Sequence, residues 1–356
     1  MTRVVAVVVT YNRKRLLMMC LEALARQSHP VEWVVLVDNA SSDGTEELVR
    51  GSGIAERLAI DYLRLRRNGG GAEGFHYGVR AAVDGEGDWL WLMDDDCEPR
   101  DDCLERLLSA DPARDPSTAV LAPVVRADRG QLLPINRGSV RPRWFFAPLQ
   151  QVPGEAHDRP ATEIQFCSFV GPLVRADVAR RIGLPMREMF IRFEDVEYLG
   201  RLGPGERMWL VGPAEIVHRD PQPVTPGLAP RWREFRQGAP FSEQWKRLYG
   251  VRNQLYAARK GGYASAPQAV SQVLVQAVRT LLFHERRRRT LRLLMLYARD
   301  GWHGRFRNVP PARWGELATA ADPVAFIDRE TLRYDADEAL PAERLHPAQA
   351  PPSRPA

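Results

Sequence analysis

The sequence has little that would staple it or anchor it. Its 356 residues include four cysteines, Cys20, Cys97, Cys103 and Cys167, and no two of them form a CxxC pair. That scatter provides neither a zinc spacing nor a disulfide framework, and it favours a reducing compartment. No apolar run approaches the roughly 18 residues of a membrane-spanning helix. The apolar start at residues 4–9 turns polar at Thr10-Tyr11-Asn12 with no small-residue cleavage site behind it, so it fits a strand better than a signal peptide. An excess of one charge is missing too: 50 Lys and Arg against 45 Asp and Glu leave +5. There is no internal repeat, no P-loop Lys-Ser/Thr, and no evident Ser-His-Asp or activated Cys arrangement.

What is present is alternation. Residues 4–9 are β-branched and unbroken, as in a strand buried on both faces. Leu17, Cys20, Leu21 and Leu24 then recur at helical spacing. Strands are expected at 33–37, 62–65 and 89–93, with helices starting at Thr45 and running through Val79 and Val83 between them. Strand–helix alternation with short connections predicts an α/β fold with a mostly parallel sheet and right-handed crossovers. A helix around Leu104, strands at 119–122, 163–170 and 208–211, and a helix at 176–182 stopped by Gly183 follow. The Pro-, Arg- and Gln-rich stretch 126–159 reads as a long functional loop or hairpin. Five prolines between 221 and 240 mark a boundary, and helices are expected beyond it at 245–259 and 268–282. This divides the chain into 1–225, a helical region at 226–322, and a partly disordered tail at 323–356.

Chemistry concentrates at strand ends. Asp94, Asp95 and Asp96 close the apolar run Trp89-Leu90-Trp91-Leu92-Met93. Ligands of open α/β sheets bind outside the carboxyl ends of the strands, and hard cations such as Mg²⁺ use one or two carboxylates plus substrate phosphates. The alternative is an acidic turn. Asp38 ends the second strand on the same edge, where it either accepts the N3–H of a pyrimidine base or caps its own turn. The run Asn68-Gly69-Gly70-Gly71-Ala72-Glu73-Gly74 allows close backbone approach, but it follows the third strand rather than the first. A dinucleotide fingerprint therefore fails on context, while a nucleotide-sugar or pyrophosphate contact through Gly70 and Gly74, or a plain helix-entry turn, remains. Glu194 and Asp195 sit where a helix N-terminus favours negative charge and where a catalytic base could stand. His218 is a candidate ligand chiefly because the aspartate triplet exists. Arg252 and Asn253 lie on an expected helix, either as a solvated face or as binding groups. Arg286-Arg287-Arg288-Arg289, followed by Leu291, Leu293, Leu294, Met295 and Leu296, suits an anionic membrane surface or a helix packed on the main body. Nucleic acid is disfavoured as a partner, because these basic residues are not set in a recognised binding module.

Taken in order, Thr10-Tyr11-Asn12, Val37-Asp38-Asn39-Ala40-Ser41, Asn68 with its glycines, Asp94 to Asp96, Glu194-Asp195 and His218 resemble the family-2 inverting glycosyltransferases of the GT-A fold. The resemblance covers residues 3–220. The stretches NGGGAEGFHYG, WLWLMDDDCEP and FIRFEDVEY, with LYGVRNQLY and ARDGWHGRF later, look like bacterial galactofuranosyltransferases and their rhamnosyltransferase relatives. It implies a GT-A nucleotide-sugar-binding catalytic domain at 1–225 and an acceptor- or membrane-facing region at 226–322. It implies that Asp94, Asp96 and His218 hold Mg²⁺ or Mn²⁺, that Asp95 helps hold the donor, and that Asp195 is the base. Thr10, Asn12, Asp38, Asn68, Gly70 and Gly74 fall to the UDP- or dTDP-linked donor, and Glu194, Arg252 and Asn253 to the acceptor. His76 departs from the asparagine that many members carry there.

The activity so implied is transfer of a hexosyl unit, best galactofuranose from UDP-galactofuranose, to a lipid-linked or cell-envelope glycan. Rhamnosyl transfer from dTDP-rhamnose is the nearest alternative. A non-catalytic nucleotide-sugar binder has no need of Asp195. A nucleotidyltransferase would want a basic loop after the first strand, for which Arg13-Lys14-Arg15 is the one hint. The expected location is cytoplasmic, peripheral at the inner face of the plasma membrane, and a homo-oligomer is compatible with everything above.

Overall fold

A computed structural model describes residues 2–140, 149–220, 240–260, 266–284, 286–335 and 337–345. Strand β1 (Val4–Thr10) is fully buried, and its side chains alternate between two cores. Val4, Ala6 and Val8 enter the core beneath one sheet face, and Val5, Val7 and Val9 that beneath the other. This is why the run is unbrokenly apolar: a strand covered on both faces has no side that must be polar. The succession continues through α1 (Lys14–Ala25), β2 (Trp33–Asp38), α2 (Thr45–Gly51), β3 (Ile60–Arg64), α3 (Gly70–Val83) and β4 (Trp89–Asp94). After β5 (Cys97–Pro99), α4 (Cys103–Ser109) and β6 (Thr118–Ala127) come β7 (Arg137–Val140), β8 (Leu149–Gln151), β9 (Thr162–Ile164), β10 (Phe166–Cys167) and β11 (Leu173–Arg175). Then follow α5 (Ala176–Ile182), α6 (Glu194–Leu199) and β12 (Arg207–His218).

The main sheet runs β13-β3-β2-β1-β4-β11-β6-β12-β5, with β9 also on β12. Its β3-β2-β1-β4 portion is parallel, as the alternation predicts, and β11 enters antiparallel between β4 and β6. The expected strand at 163–170 is two short strands instead. β9 pairs with β12, whereas β10 pairs with β7 in a separate three-stranded sheet. Gln165, between them, accepts the Val140 N–H through its side chain at 2.7 Å, which marks where the chain changes sheets. The hairpin expected within 126–159 is the β7–β8 pair, and residues 141–148 lie outside the described residues.

The C-terminal region supplies α7 (Gln244–Arg259), α8 (Ala266–Phe283), α9 (Arg287–His303), α10 (Trp314–Leu317), α11 (Pro323–Glu330) and β13 (Glu343–Leu345). Leu248, Tyr249, Leu255, Leu293, Leu294, Tyr297 and Trp314 form a third core there. Phe190 and Val196, which flank Glu194 and Asp195, belong to the same core. Up to Leu345 the tail is part of the folded body, since β13 pairs with β3 and the Glu338 N–H donates to the Tyr77 hydroxyl at 2.8 Å. No helix of the described residues is long and apolar enough to cross a membrane.

Helix α3 lies unusually close to the sheet because glycines face it. A Cβ on Gly78 would meet Val7 Cγ1 at 2.4 Å and Val37 Cγ2 at 3.2 Å. Those β-branched neighbours sit inside a filled core and cannot retreat. Gly78→Ala is therefore expected to lower unfolding stability by about 1–3 kcal/mol in denaturant titrations. An unchanged midpoint would mean that α3 is free to lift off the sheet.

Candidate functional site

Sheet register builds one side of the site. Thr10 pairs with Asp38, and Val9 with Asp94, so three sequence-predicted residues end their strands on one edge. The chain turns back after Asp94, where the Asp95 N–H donates to the Val9 carbonyl at 3.1 Å. The Thr10 hydroxyl donates to Asp95 Oδ2 at 2.7 Å. Pairing of β12 with β5 sets His218 opposite Cys97, and its Nε2 stands 3.2 Å from Asp96 Oδ1. Arg13, immediately before α1, holds the acids together: its guanidinium is 2.8 Å from Asp96, 3.7 Å from Asp95 and 3.1 Å from Asp220. A basic residue after the first strand thus faces the triplet itself, not a triphosphate loop of its own.

The second acidic pair enters the same cleft. Burial, then Asp96, Asp95 and Glu194, hold the Asp94 carboxyl well above the usual carboxylate range. Burial pushes Asp95 up to about 7, against the lowering effect of the Thr10 hydroxyl and Arg13. Glu194 is raised by burial and then by Asp195, and its Oε2 is buried without a hydrogen-bond partner. Asp195, half-buried, is also raised by burial, with the Val196 N–H and the Arg137 guanidinium among the groups opposing it. Arg137 was not singled out in the sequence. It is fully buried, and its guanidinium donates to the carbonyls of Pro123 (3.1 Å), Asn136 (2.8 Å) and Val170 (2.6 Å). Only its position late in an irregular loop was visible beforehand, and that is no signal.

The donor set fits a hard divalent cation: carboxylate oxygens of Asp94 and Asp96 with an imidazole of His218. Asp96 Oδ1 and His218 Nδ1 are buried and without hydrogen bonds, as unused ligand atoms are. Among the described residues, however, no three His, Cys, Asp or Glu side chains converge to enclose an ion, and Arg13 is the cation that faces Asp96.

The glycine turn meets protein before it can meet a ligand. Gly70 has φ +85°, and a Cβ there would lie 2.1 Å from the Phe190 carbonyl oxygen. That carbonyl accepts the Ala72 N–H at 3.1 Å, and Asn68 Oδ1 accepts the Gly70 N–H at 2.8 Å. Gly74 fits against Val9 Cγ1 and Asn39, the latter through its side-chain amide. The expected pyrophosphate contact of Gly70 and Gly74 is corrected accordingly: their close approach is to the loop before Glu194 and to the sheet. Asp38 is likewise an anchor. It is fully buried, with Oδ1 accepting the Ser41 N–H (2.7 Å) and Oδ2 accepting the Tyr62 hydroxyl (2.7 Å) and Arg64 (3.4 Å), so the expected contact with a pyrimidine N3–H is not open here. Asn12 braces the same turn, its Oδ1 accepting the Ser42 N–H at 2.7 Å. His76 turns away to the Pro185 carbonyl at 2.8 Å.

Arg252 and Asn253 require the largest correction. Both are fully buried, so neither offers a group to an acceptor. The Asn253 amide nitrogen lies 2.9 Å from Met189 O, 3.1 Å from Ile191 O and 2.8 Å from Arg192 O. Two N–H groups shared among three carbonyls leave the loop little freedom. Arg252 adds bonds to Met189 O at 3.0 Å and Asn308 Oδ1 at 2.7 Å, with its guanidinium over the rings of Tyr249 and Phe306. The clamped segment needs it: Phe190, Arg192 and Phe193 all have positive φ, at 67°, 68° and 69°. Such residues cost about 1–3 kcal/mol each and persist only where their surroundings hold them.

Residues 5–170 match the family model Glycosyl transferase family 2. It is 36% identical over 203 residues to the galactofuranosyltransferase GlfT1 of Mycolicibacterium smegmatis, covering 56% of this chain and 65% of that one. It is also 36% identical over 210 residues to GlfT1 of Mycobacterium tuberculosis, covering 56% and 64%. The chain thus spans less than two thirds of these relatives. A crystal structure of GalNAc-T7 with UDP, GalNAc and Mn²⁺ superposes with a TM-score of 0.51 at 17% identity, over 78% of this chain and 55% of that one, which establishes the shared GT-A fold.

Asn253→Ala would take a donor from three loop carbonyls and leave those of Ile191 and Arg192 without the amide that holds them, at a cost of about 1–3 kcal/mol. Faster hydrogen exchange of the Ala72 amide, which is bonded to the same loop, is the specific sign expected. Exchange there at the wild-type rate would contradict the clamp.

Proposed function

We propose that this chain is a metal-assisted inverting glycosyltransferase that moves a hexosyl unit to a lipid-linked or cell-envelope glycan. Galactofuranose from UDP-galactofuranose is the favoured donor, in keeping with the activity named for the GlfT1 relatives, and dTDP-rhamnose is the alternative. What supports the proposal is the approach of the second acidic pair to the triplet: Glu194 lies near enough to Asp94 to raise its carboxyl, and the loop before Glu194 is bonded through the Phe190 carbonyl to the glycine turn. A leaving nucleoside diphosphate and an attacking hydroxyl can then face one anomeric carbon from opposite sides.

Asp94, Asp96 and His218 would hold Mg²⁺ or Mn²⁺, which supplies positive charge for the departing diphosphate without a proton. Asp95, fixed by Thr10 and Arg13, orients the donor. Asp195 takes the acceptor's proton. Its Oδ1 accepts the Val196 N–H at 2.7 Å, which fixes the direction of the carboxyl. Glu194, with its unpartnered Oε2, would orient that acceptor. The Ala72 N–H bond to the Phe190 carbonyl, with Gly70 packed against the same carbonyl, ties the glycine turn to the loop before Asp195. A single displacement inverts the anomeric centre and needs no nucleophile from the protein. The proposal keeps the division near residue 225 but not the one near 322, since Phe326 and Ile327 share the core of the C-terminal helices, and it sets the chain peripherally at a cytoplasmic membrane face where a lipid-linked acceptor would be met.

Asp195→Asn is expected to lower transfer by about 10²–10⁴-fold while the donor dissociation constant stays within threefold. Full turnover in that variant would remove Asp195 from the role of base. Since burial raises its carboxyl, and only the ionised form accepts a proton, kcat should rise with pH to an inflection above the ordinary aspartate value of about 3.9. Thorough chelation should abolish transfer, and Mn²⁺ or Mg²⁺ should restore it. Undiminished transfer after chelation would exclude the cation.

A further inference from the structure

Seven of the eleven large hydrophobic side chains exposed among the described residues lie on two neighbouring helices, α8 and α9. On α8 they are Val270, Leu274, Val278, Leu281 and Leu282, between 46% and 62% exposed. Their spacing of three and four residues makes one stripe, about 18 Å long at 1.5 Å per residue. Scattered exposed hydrophobics need no explanation, but a contiguous apolar face marks a binding surface.

The charge pattern says what binds there. Residues 266–303 contain seven arginines (Arg279, the four from Arg286 to Arg289, Arg292 and Arg299) and two acids, Glu285 and Asp300. Asp300 is buried, and Glu285 lies outside the described residues. Helix α9 buries Leu293, Leu294 and Tyr297 in the C-terminal core and turns Arg288, Arg292, Met295, Arg299 and Trp302 to solvent. Leu293 and Leu294, which the sequence suggested could lie on a bilayer, are therefore unavailable for that role. The free apolar face belongs to α8, and α9 contributes the cations. A protein partner would ordinarily bring acids and a shaped surface to meet such a patch. An apolar stripe flanked by arginines, a methionine and a tryptophan, with no exposed acid among the described residues of 266–303, suits the boundary between acyl chains and anionic headgroups.

We propose that the α8 stripe, with the outward arginines of α9 and the Arg286–Arg288 turn, is the surface by which this chain docks on an anionic lipid bilayer. The inference deepens the peripheral placement argued above by naming its surface. None of these residues belongs to the acidic cleft, so docking and catalysis can fail separately.

The test is flotation of the full chain with vesicles of phosphatidylcholine mixed with phosphatidylglycerol, and with vesicles of phosphatidylcholine alone. The expected result is binding to the mixed vesicles, much weaker binding to neutral ones, and release at high salt. Leu274→Gln with Val278→Gln should weaken binding tenfold or more. Arg288→Gln with Arg292→Gln should weaken it about fivefold per arginine removed. All four positions are exposed, so thermal melting should be unchanged, and transfer to a soluble acceptor should persist in both double variants. Absence of binding to the mixed vesicles, or equal binding by the variants, would overturn the proposal. So would light scattering that shows a dimer without lipid which the Leu274/Val278 variant dissociates, because the stripe would then be covered by a second copy.

Discussion

Five carboxyl groups from two distant parts of the chain share one cleft with too little positive charge to balance them. Asp94, Asp95 and Asp96 come from the end of β4, and Glu194 and Asp195 from the start of α6. Burial first, and like charge after it, disfavour ionisation here, and the carboxyls of Asp94, Asp95, Glu194 and Asp195 hold their protons more tightly than usual. The fold invests in this arrangement. Arg13 spans Asp95, Asp96 and Asp220, Arg137 stands behind Asp195, and a hydroxyl is spent on Asp95. Such a cleft is a poor way to stabilise a fold and a good way to receive cationic charge together with a reactant that loses a proton.

The C-terminal helices give that cleft its shape. Without α7, the loop from Met189 to Phe193 would have to hold three positive-φ residues alone, and the direction of Asp195 depends on it. Arg252 is a buried cation paired with no carboxylate among the described residues. It is tolerated because carbonyls, the amide oxygens of Asn253 and Asn308, and two aromatic faces surround it. One helical layer thereby has two jobs: its inner face fixes the loop from Met189 to Phe193, and its outer face is apolar and basic.

Much of this was legible in the sequence, for physical reasons that can be named. The parallel strands announced themselves because burial on both faces demands unbroken apolar runs, and the register that aligns Thr10, Asp38 and Asp94 follows from strands of similar length. The acidic triplet was legible because three adjacent carboxylates at a strand end have few structural uses. Arg252 and Asn253 were misjudged, since a polar pair on a helix reads the same whether it meets a ligand or the protein's own carbonyls. Gly70 and Gly74 signalled close approach correctly, but what approaches Gly70 is Phe190, 120 residues away along the chain, and no local pattern encodes that. The split of residues 163–170 between two sheets depends likewise on which distant edges are free.

The central claim is a single displacement at the anomeric carbon, with Asp195 as base and the aspartate triplet on the leaving-group side. The stereochemistry of the product tests it most directly. Proton NMR of the first transfer product, formed from UDP-galactofuranose and a soluble acceptor, should show the anomeric configuration inverted relative to the donor. A product with the donor's configuration retained would contradict it.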